Sequence, residues 1–262
     1  MSRLDLKKLN SITKYPSILT YHCLGERGRL TENLSEEHGF IHEAESIYVY
    51  EKVDGENARI VLFKGINNEI DYVIGSREEL LYAKGDRIGN PYGNIADFLK
   101  PIAEKVMNDF GEKQDWALTV IYQESYGGKT KAAKNYTDTK TQGYRVFDMF
   151  SLNSDELEHL MSLPQERIAE WREHGKQPFY DEVNKINFVQ QFDLESAPLL
   201  TNEQGALFPR TIEDTYALLK QFAKTKVGLD ATGKSEGIIV RSADRKQIRK
   251  IRFEDYERTL KK

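Results

Sequence analysis

The chain has 262 residues, of which 39% are hydrophobic and 31% are charged, and its formal net charge is −4. This composition is typical of a globular protein with a full hydrophobic core, and no apolar run approaches the roughly 20 residues of a membrane-spanning helix. Residues 1–8 lack the apolar core of a signal peptide, and the single cysteine, Cys23, excludes an internal disulfide. We therefore expect a cytoplasmic protein that does not bind membranes.

Strand patterns and helical patterns follow one another along the chain. Segments rich in Val, Ile, Tyr and Phe predict strands at residues 47–53, 58–64, 71–76, 116–123, 143–150, 187–192, 236–241 and 247–252. Helices are predicted at 94–110, with Asn94 as N-cap, at 164–174, and at 211–224, where Thr211 and Asp214 form a capping signal.

Strands outnumber helices in this pattern, and short turns separate many of them. We therefore predict an α+β fold of mostly antiparallel sheets flanked by helices. No linker, repeat or low-complexity segment interrupts the chain, which predicts a single domain over residues 1–262 without a separate C-terminal domain. The last ten residues are expected to form a short helix against the sheet.

One lysine stands at a position suited to covalent catalysis. Residues 46–59 read SIYVYEKVDGENAR, so Lys52 follows an apolar strand and precedes Asp54 and Gly55. A lysine amine has a pKa of about 10.4 in water and becomes a nucleophile only where burial or neighbouring cations favour its neutral form. Gly55 permits close approach of a ligand, and Asp54 is placed to orient the lysine or a metal-bound water. A β-hairpin with Lys52 in solvent is the alternative.

Further charged residues recur at strand ends after Lys52. Arg77 ends one strand, Glu124 precedes two glycines in YQESYGG, and Tyr144 lies in the strand YRVFDM, where Phe147 reads as a core residue. Glu236 opens the strand EGIIVR, and Lys250 and Arg252 share one strand face because side chains alternate with a period of two.

In this order the motifs resemble those of the nucleotidyltransferase superfamily of ATP-dependent DNA and RNA ligases and mRNA capping enzymes. The resemblance covers about residues 45–255. It is nearest to the double-strand RNA ligases, whose lysine motif is similar to EKVDGEN, including Asn57, and whose glutamate motif is similar to YQESYGG. Two departures are present: the final motif reads KIR, with Arg252 in place of a lysine, and Arg59 lies two residues later than the arginine of DNA ligases.

The resemblance implies the adenylation fold and a three-step sealing of RNA ends with ATP and Mg²⁺ or Mn²⁺. Lys52 would form a lysyl-AMP, AMP would pass to a 5′-phosphate, and a 3′-hydroxyl would displace it. The implied roles are Lys250 and Arg252 on the phosphates, Glu236 and Glu124 on the ribose or metal, Arg77 on the ribose or polynucleotide, Tyr144 and Ile238 around adenine, Glu51 near the adenine amino group, and Asp54 and Asn57 as further nucleotide contacts.

Three alternatives remain from the sequence: a DNA ligase, a GTP-using capping enzyme, and a noncatalytic nucleic-acid-binding relative. The expected substrate is RNA ends or a nicked duplex, including an RNA–DNA hybrid. We expect a monomer, and an accessory protein that helps to bind the RNA ends is an alternative. Residues 241–262 carry nine Lys or Arg and four acidic residues, which predicts a site for a polyanion at this end. Residues 129–134, KTKAAK, are a second candidate.

Overall fold

The computed structural model describes residues 5–37, 39–65, 69–84, 86–88, 94–110 and 116–261. The first four residues of the N-terminal segment therefore lie outside the described residues. The helices are α1 Leu6–Thr13, α2 Asn94–Asp109, α3 Ser154–Ser162, α4 Gln165–Glu173, α5 Glu182–Gln191, α6 Ile212–Gln221 and α7 Phe253–Leu260. The strands are β1 Leu19–Thr20, β2 His22–Leu24, β3 Leu30–Leu34, β4 Ile47–Lys52, β5 Glu56–Lys64, β6 Ile70–Ser76, β7 Leu80–Ala83, β8 Asp86–Arg87, β9 Leu118–Gly127, β10 Gln142–Leu152, β11 Leu199–Glu203, β12 Gly237–Ser242 and β13 Ile248–Arg252.

Two sheets carry most of the strands. A six-stranded sheet has the order β10-β9-β5-β6-β7-β8 and is antiparallel throughout. A five-stranded sheet has the order β1-β13-β12-β4-β11, in which only the β1–β13 pair is parallel. The predicted α+β fold with mostly antiparallel sheets is therefore confirmed.

Helices cover three of the four faces of the two large sheets. Helices α2 and α5 pack on one face of the six-stranded sheet, and α1, α3 and α4 pack on the other. Helices α6 and α7 cover one face of the five-stranded sheet. The other face of the five-stranded sheet turns toward the six-stranded sheet and forms the candidate site between them.

Most predicted elements are present, with one clear error. The helix predicted at 94–110 buries its apolar face through Ile95, Leu99, Val106 and Phe110, and it begins at Asn94. Thr211 caps α6 by accepting a hydrogen bond from the Asp214 backbone N–H. The strand predicted at 187–192 is wrong, because these residues continue α5.

The α5 error has a physical cause. Asp181 caps the helix, and Phe188, Val189 and Phe192 fall on one helical face that packs against the core. A short apolar run is ambiguous between strand and helix when read by itself. The final residues do form the expected short helix, α7.

No helix within the described ranges combines the length and apolar character that a membrane span requires.

Candidate active site

The chain passes from one large sheet to the other immediately after Lys52. Strand β4 ends at Lys52 in the five-stranded sheet, and β5 begins at Glu56 in the six-stranded sheet. The alternative of a simple hairpin is wrong, since β4 and β5 do not pair. A Cβ on Gly55 would lie 2.2 Å from the Ser125 carbonyl oxygen, so only glycine fits where the chain crosses.

A cavity of about 360 Å³ opens at this crossing. Its walls come from both sheets and from residues 15–18, which follow α1. The predicted site residues that line it are Lys52, Glu51, Asp54, Asn57, Arg77, Glu124, Glu236 and Lys250. The structure therefore brings together residues that are up to about 200 positions apart in sequence.

Lys52 lies at the centre of the charged groups. Its Nζ is 2.5 Å from Glu236 Oε2, and both side chains are partly buried. The register explains this contact, because Gly237 pairs with Lys52 on β4 and with Arg252 on β13, which places Glu236 at the end of all three strands. Lys250 lies in the same cavity, and burial, Arg252 and Lys52 lower its pKa.

Glu124 approaches Lys52 from the six-stranded sheet. Its Oε1 accepts a hydrogen bond of 3.1 Å from the Gly55 N–H. Burial raises the pKa of Glu124 to about 7, with Lys52 lowering it and Glu236 raising it. A carboxyl with a pKa near neutrality beside a lysine in a cavity is typical of a functional site.

Three predicted site residues do not line the cavity. Tyr144 packs against Phe98 on the opposite face of β10, with the ring centroids 6.4 Å apart. Ile238 is fully buried in the core beneath the five-stranded sheet. Arg252 is absent from the cavity wall, and its guanidinium binds both oxygens of Asp255 at 2.8 and 2.9 Å.

Strand alternation explains the errors at Tyr144 and Ile238. Arg145 pairs with Glu124 across the strands and lines the cavity, as does Phe147, whereas Tyr144 and Val146 belong to the core side. A β-bulge between Val146 and Asp148 adds Phe147 to the strand. Ile239, next to Ile238, likewise faces the cavity.

The sequence contained a signal for the aromatic residue of β10 that lines the cavity. Directly opposed residues of an antiparallel pair share a face. Placing Glu124 opposite Arg145 would have assigned Arg145 and Phe147 to the cavity. Our interpretation of Phe147 as a core residue was therefore incomplete, although its ring also contacts that of Tyr15 at 5.1 Å.

Glu51 and Asp54 are held by neighbouring loops. The buried Glu51 carboxylate accepts hydrogen bonds from Thr225 Oγ1 at 2.5 Å and from the Lys226 N–H at 2.7 Å. The Asp54 N–H donates to the Tyr136 hydroxyl at 2.7 Å. Glu51 thus anchors a loop, and its contact with adenine stays a prediction.

Arg77 and Asn57 complete the cavity wall beside the end of β6. Arg77 is largely exposed, and its backbone carbonyl accepts a hydrogen bond from the fully buried Arg59, which also binds the Ser76 carbonyl. Sequence reasoning used Arg59 only to judge the family, whereas the structure shows that it fixes the strand end that presents Arg77. The buried Asn57 Oδ1 has no hydrogen-bond partner among the described residues.

A buried charge cluster joins the two sheets behind the cavity. Asp148 on β10 lies 3.3 Å from Arg241 Nη1 and 2.6 Å from Arg245 Nε, and it accepts a hydrogen bond of 2.8 Å from the Tyr15 hydroxyl. Burial opposes ionisation of Asp148, but Arg245 and Arg241 outweigh it and hold the pKa of the carboxyl below its ordinary value. Because Tyr15 and Arg241 line the cavity, this cluster fixes part of its wall.

Part of the charge of the basic C-terminal run is used within the protein, and binding of a polyanion at this end stays a prediction. Arg241 and Arg245 bind Asp148, and the buried Arg249 donates to the carbonyls of Ser35, Glu37 and Gly39. Arg252 pairs with Asp255 and Arg258 with Glu254. These arginines are bound to groups of the protein itself. The formal charge of the segment is therefore larger than the charge that is available to a ligand.

Glu124 and Glu236, the two predicted metal ligands, both line the cavity. Within the described ranges, no group of three His, Cys, Asp or Glu side chains is arranged to hold a metal ion. Glu124 and Glu236 interact electrostatically across Lys52. This pair fits Mg²⁺, which proteins commonly bind through one or two carboxylates together with substrate phosphates.

Comparison with known proteins places the chain in a family. Residues 45–261 match the RNA ligase family, and the chain belongs to that family. A comparison with curated proteins finds no match.

Solved structures show the same fold. The Naegleria gruberi RNA ligase with PPi is 12% identical, with a TM-score of 0.53 over 84% of this chain and 53% of that chain. A mutant of that ligase with ATP and Mn is 14% identical, with a TM-score of 0.53 over 95% of this chain and 62% of that chain. A second mutant with ATP and Mn is 15% identical, with a TM-score of 0.51 over 83% of this chain and 52% of that chain. The chain thus spans only part of the length of the ligases that it matches.

Proposed function

We propose that the protein is an ATP-dependent RNA ligase that joins 5′-phosphate and 3′-hydroxyl ends through a lysyl-AMP at Lys52. The observation that carries this proposal is the position of Lys52. It lies in a cavity between two sheets, 2.5 Å from Glu236 and in the company of Lys250, in a chain that belongs to the RNA ligase family.

In the first step, the neutral amine of Lys52 attacks the α-phosphorus of ATP. A P–N bond forms, the bond to the bridging oxygen breaks, pyrophosphate leaves and the amine loses a proton. An ammonium group is not a nucleophile, so Lys52 must give up its ammonium proton, which ends the ion pair with Glu236, before attack. Glu236 and Glu124 would hold Mg²⁺, which would supply positive charge beside the phosphate oxygens.

Cations and an aromatic ring around Lys52 suit the rest of the nucleotide. Lys250 and Arg77 are placed to bind phosphate or ribose oxygens, where charge develops during transfer. Phe147 and Ile239 offer apolar surfaces for adenine, in place of the predicted Tyr144 and Ile238. Arg252 would reach a phosphate only after leaving Asp255.

In the second and third steps, AMP moves to the RNA and is released. A 5′-phosphate oxygen attacks the phosphorus of lysyl-AMP, which breaks the P–N bond and forms a pyrophosphate linkage. The 3′-hydroxyl then attacks the 5′-phosphorus, so a phosphodiester forms and AMP leaves. The same cations would act in all three steps, because negative charge develops on phosphate oxygens in every step.

The double-strand RNA ligase subtype is part of this proposal and rests on the similarity of residues 51–57 and 122–128 to that group. The single cysteine suits a reducing compartment, so a cytoplasmic location is part of this proposal. Retention of both Lys52 and Glu236 argues against a noncatalytic relative.

A substrate panel tests the proposed function. The protein is incubated with labelled ATP or GTP and a divalent metal, and then with nicked RNA, DNA and hybrid duplexes and with single-stranded RNA ends. We expect an adduct with ATP and fastest sealing of nicked duplexes with RNA at the junction. Preference for GTP would indicate a capping enzyme, faster sealing of DNA a DNA ligase, and the absence of any adduct would contradict the proposal.

Glu124 predicts a pH dependence of adduct formation. Since its pKa is about 7, the carboxylate that would bind metal becomes populated as the pH rises from about 6 to 8. We expect the rate of adduct formation to rise through this range with an inflection near pH 7 that Glu124→Gln removes. An unchanged inflection in Glu124→Gln would assign it to another group.

The same group predicts a stability difference. A carboxyl with a folded-state pKa above its ordinary value stabilises the fold at low pH, and this contribution is lost as the pH rises through about 7. The melting temperature of the parent, measured relative to that of Glu124→Gln, should therefore decline between pH 5 and 8.

A further inference from the structure

Two lysine-rich loops meet beside the nucleophile. One follows β9 and contains Lys129, Lys131, Lys134 and Lys140, and the other joins α6 to β12 and contains Lys224, Lys226 and Lys234. We call these seven residues the lysine cluster. Residues 127–140 and 222–235 include only two acidic residues, Asp138 and Asp230, so the surface has a strong positive charge.

Backbone hydrogen bonds hold the two loops together as one surface. The Leu229 N–H donates to the Tyr136 carbonyl at 2.8 Å, and the Gly233 N–H donates to the Asn135 carbonyl at 2.7 Å. The Asp230 carboxylate accepts a hydrogen bond of 2.7 Å from the Asp138 N–H. One of the two acids therefore serves the connection between the loops.

The lysines are exposed and mostly unpaired. All seven are exposed, and among the described residues only Lys234 has an acidic partner within ion-pair distance, Glu257 at 2.5 Å. The C-terminal arginines differ, because they are bound to protein groups. The charge of the lysine cluster is therefore available to a ligand.

The loops are attached on both sides of Lys52. Thr225 and Lys226 bind Glu51, which precedes Lys52, and Tyr136 binds the backbone of Asp54, which follows it. Val53 packs with Tyr126, Tyr136 and Val227 in a small apolar cluster under the loops. A polyanion on this surface would consequently lie next to the nucleophile.

We propose that the lysine cluster binds the phosphodiester backbone of the RNA whose ends are joined to each other in the cavity that contains Lys52. This inference rests on the proposed function. Flexible, exposed ammonium groups bind phosphates as point charges without reading sequence, which suits a ligase that must accept ends of any sequence.

The test compares two matched triple variants. Lys131→Ala/Lys134→Ala/Lys224→Ala removes charge from both loops, and Lys7→Ala/Lys100→Ala/Lys176→Ala removes the same charge from exposed positions elsewhere. Binding of nicked RNA duplex is measured between about 50 and 200 mM salt, and adduct formation is measured with ATP alone. If each lysine contacts one phosphate, the loop variant should reduce the magnitude of the slope of log affinity against log salt by about 2–3.

The control variant should retain the parent slope, and the loop variant should form lysyl-AMP at the parent rate. Equal weakening of RNA binding in both variants would show a net-charge effect and overturn the proposal. Loss of adduct formation in the loop variant would assign the lysines to ATP and would also overturn it.

Failure of the proposed function has a different signature. A parent protein that forms no adduct contradicts the ligase activity, whereas the binding comparison still reports on the lysine cluster. An active parent whose RNA binding is unchanged in the loop variant contradicts only the lysine cluster.

Discussion

Replacement of Lys52 by alanine is expected to abolish the covalent protein–AMP adduct and all sealing that starts from ATP. Among the residues that the structure describes, only this lysine lies at the crossing between the sheets in contact with Glu236. Alanine lacks an amine, so no P–N bond can form and pyrophosphate is not released. Labelling with ATP and mass spectrometry of the digested protein would measure the loss and locate AMP in the parent.

Lys250 provides the matched control, because it is the second lysine of the same cavity and its pKa is lowered by burial and by neighbouring cations. Lys250→Ala should slow adduct formation while AMP remains on Lys52. Labelling of Lys52→Ala at the parent level, or AMP mapped to Lys250, would show that the nucleophile has been assigned wrongly.

Replacement of Asp148 by alanine is expected to be the most destabilising single change in the buried charge cluster. It would leave the buried Arg245 without its carboxylate partner, whereas Arg241 would keep an ion pair with Glu182 at 3.1 Å. Removing one partner from a buried ion pair typically costs about 3–5 kcal/mol, because the remaining charge is uncompensated. Chemical denaturation at neutral pH would measure the loss.

Asp138→Ala is the control, since Asp138 is an exposed aspartate in a loop, and the expected change is within about 0.5 kcal/mol. Acidification offers a second check. The lowered pKa of Asp148 means that its stabilisation is present at neutral pH and disappears as the pH falls through the folded-state pKa, and Asp148→Ala should lack this component. A free energy of unfolding equal to that of the parent would contradict the role of Asp148 in joining the sheets.

Local patterns carried much of the information about this site. Neighbouring residues were enough to predict the strand before Lys52, the glutamates at strand ends and the position of Lys250. The structure places Lys52, Glu124, Glu236 and Lys250 around one cavity. Their roles in catalysis stay predictions until the variants are measured. The helix at residues 94–110 could also be predicted from the sequence, because a long apolar pattern with the helical period does not fit a strand.

Errors arose where the answer depended on a partner strand. The bulge in β10 and its pairing with β9 decide that Arg145 and Phe147 face the cavity while Tyr144 faces the core. A shift of one residue reverses the face of a strand side chain, so an assignment by residue type without the pairing register is unreliable.

The sequence alone determined the fold class, which follows from local periodicity, and the resemblance of its ordered motifs to the nucleotidyltransferases indicated Lys52 as the candidate nucleophile. Only the tertiary structure decided which positive charges are available to a ligand. The C-terminal arginines contact distant acids and carbonyls, while the exposed lysines of two separate loops come together beside Lys52. Net charge along a chain cannot distinguish these cases, since the pairing of a charge depends on residues brought close by folding.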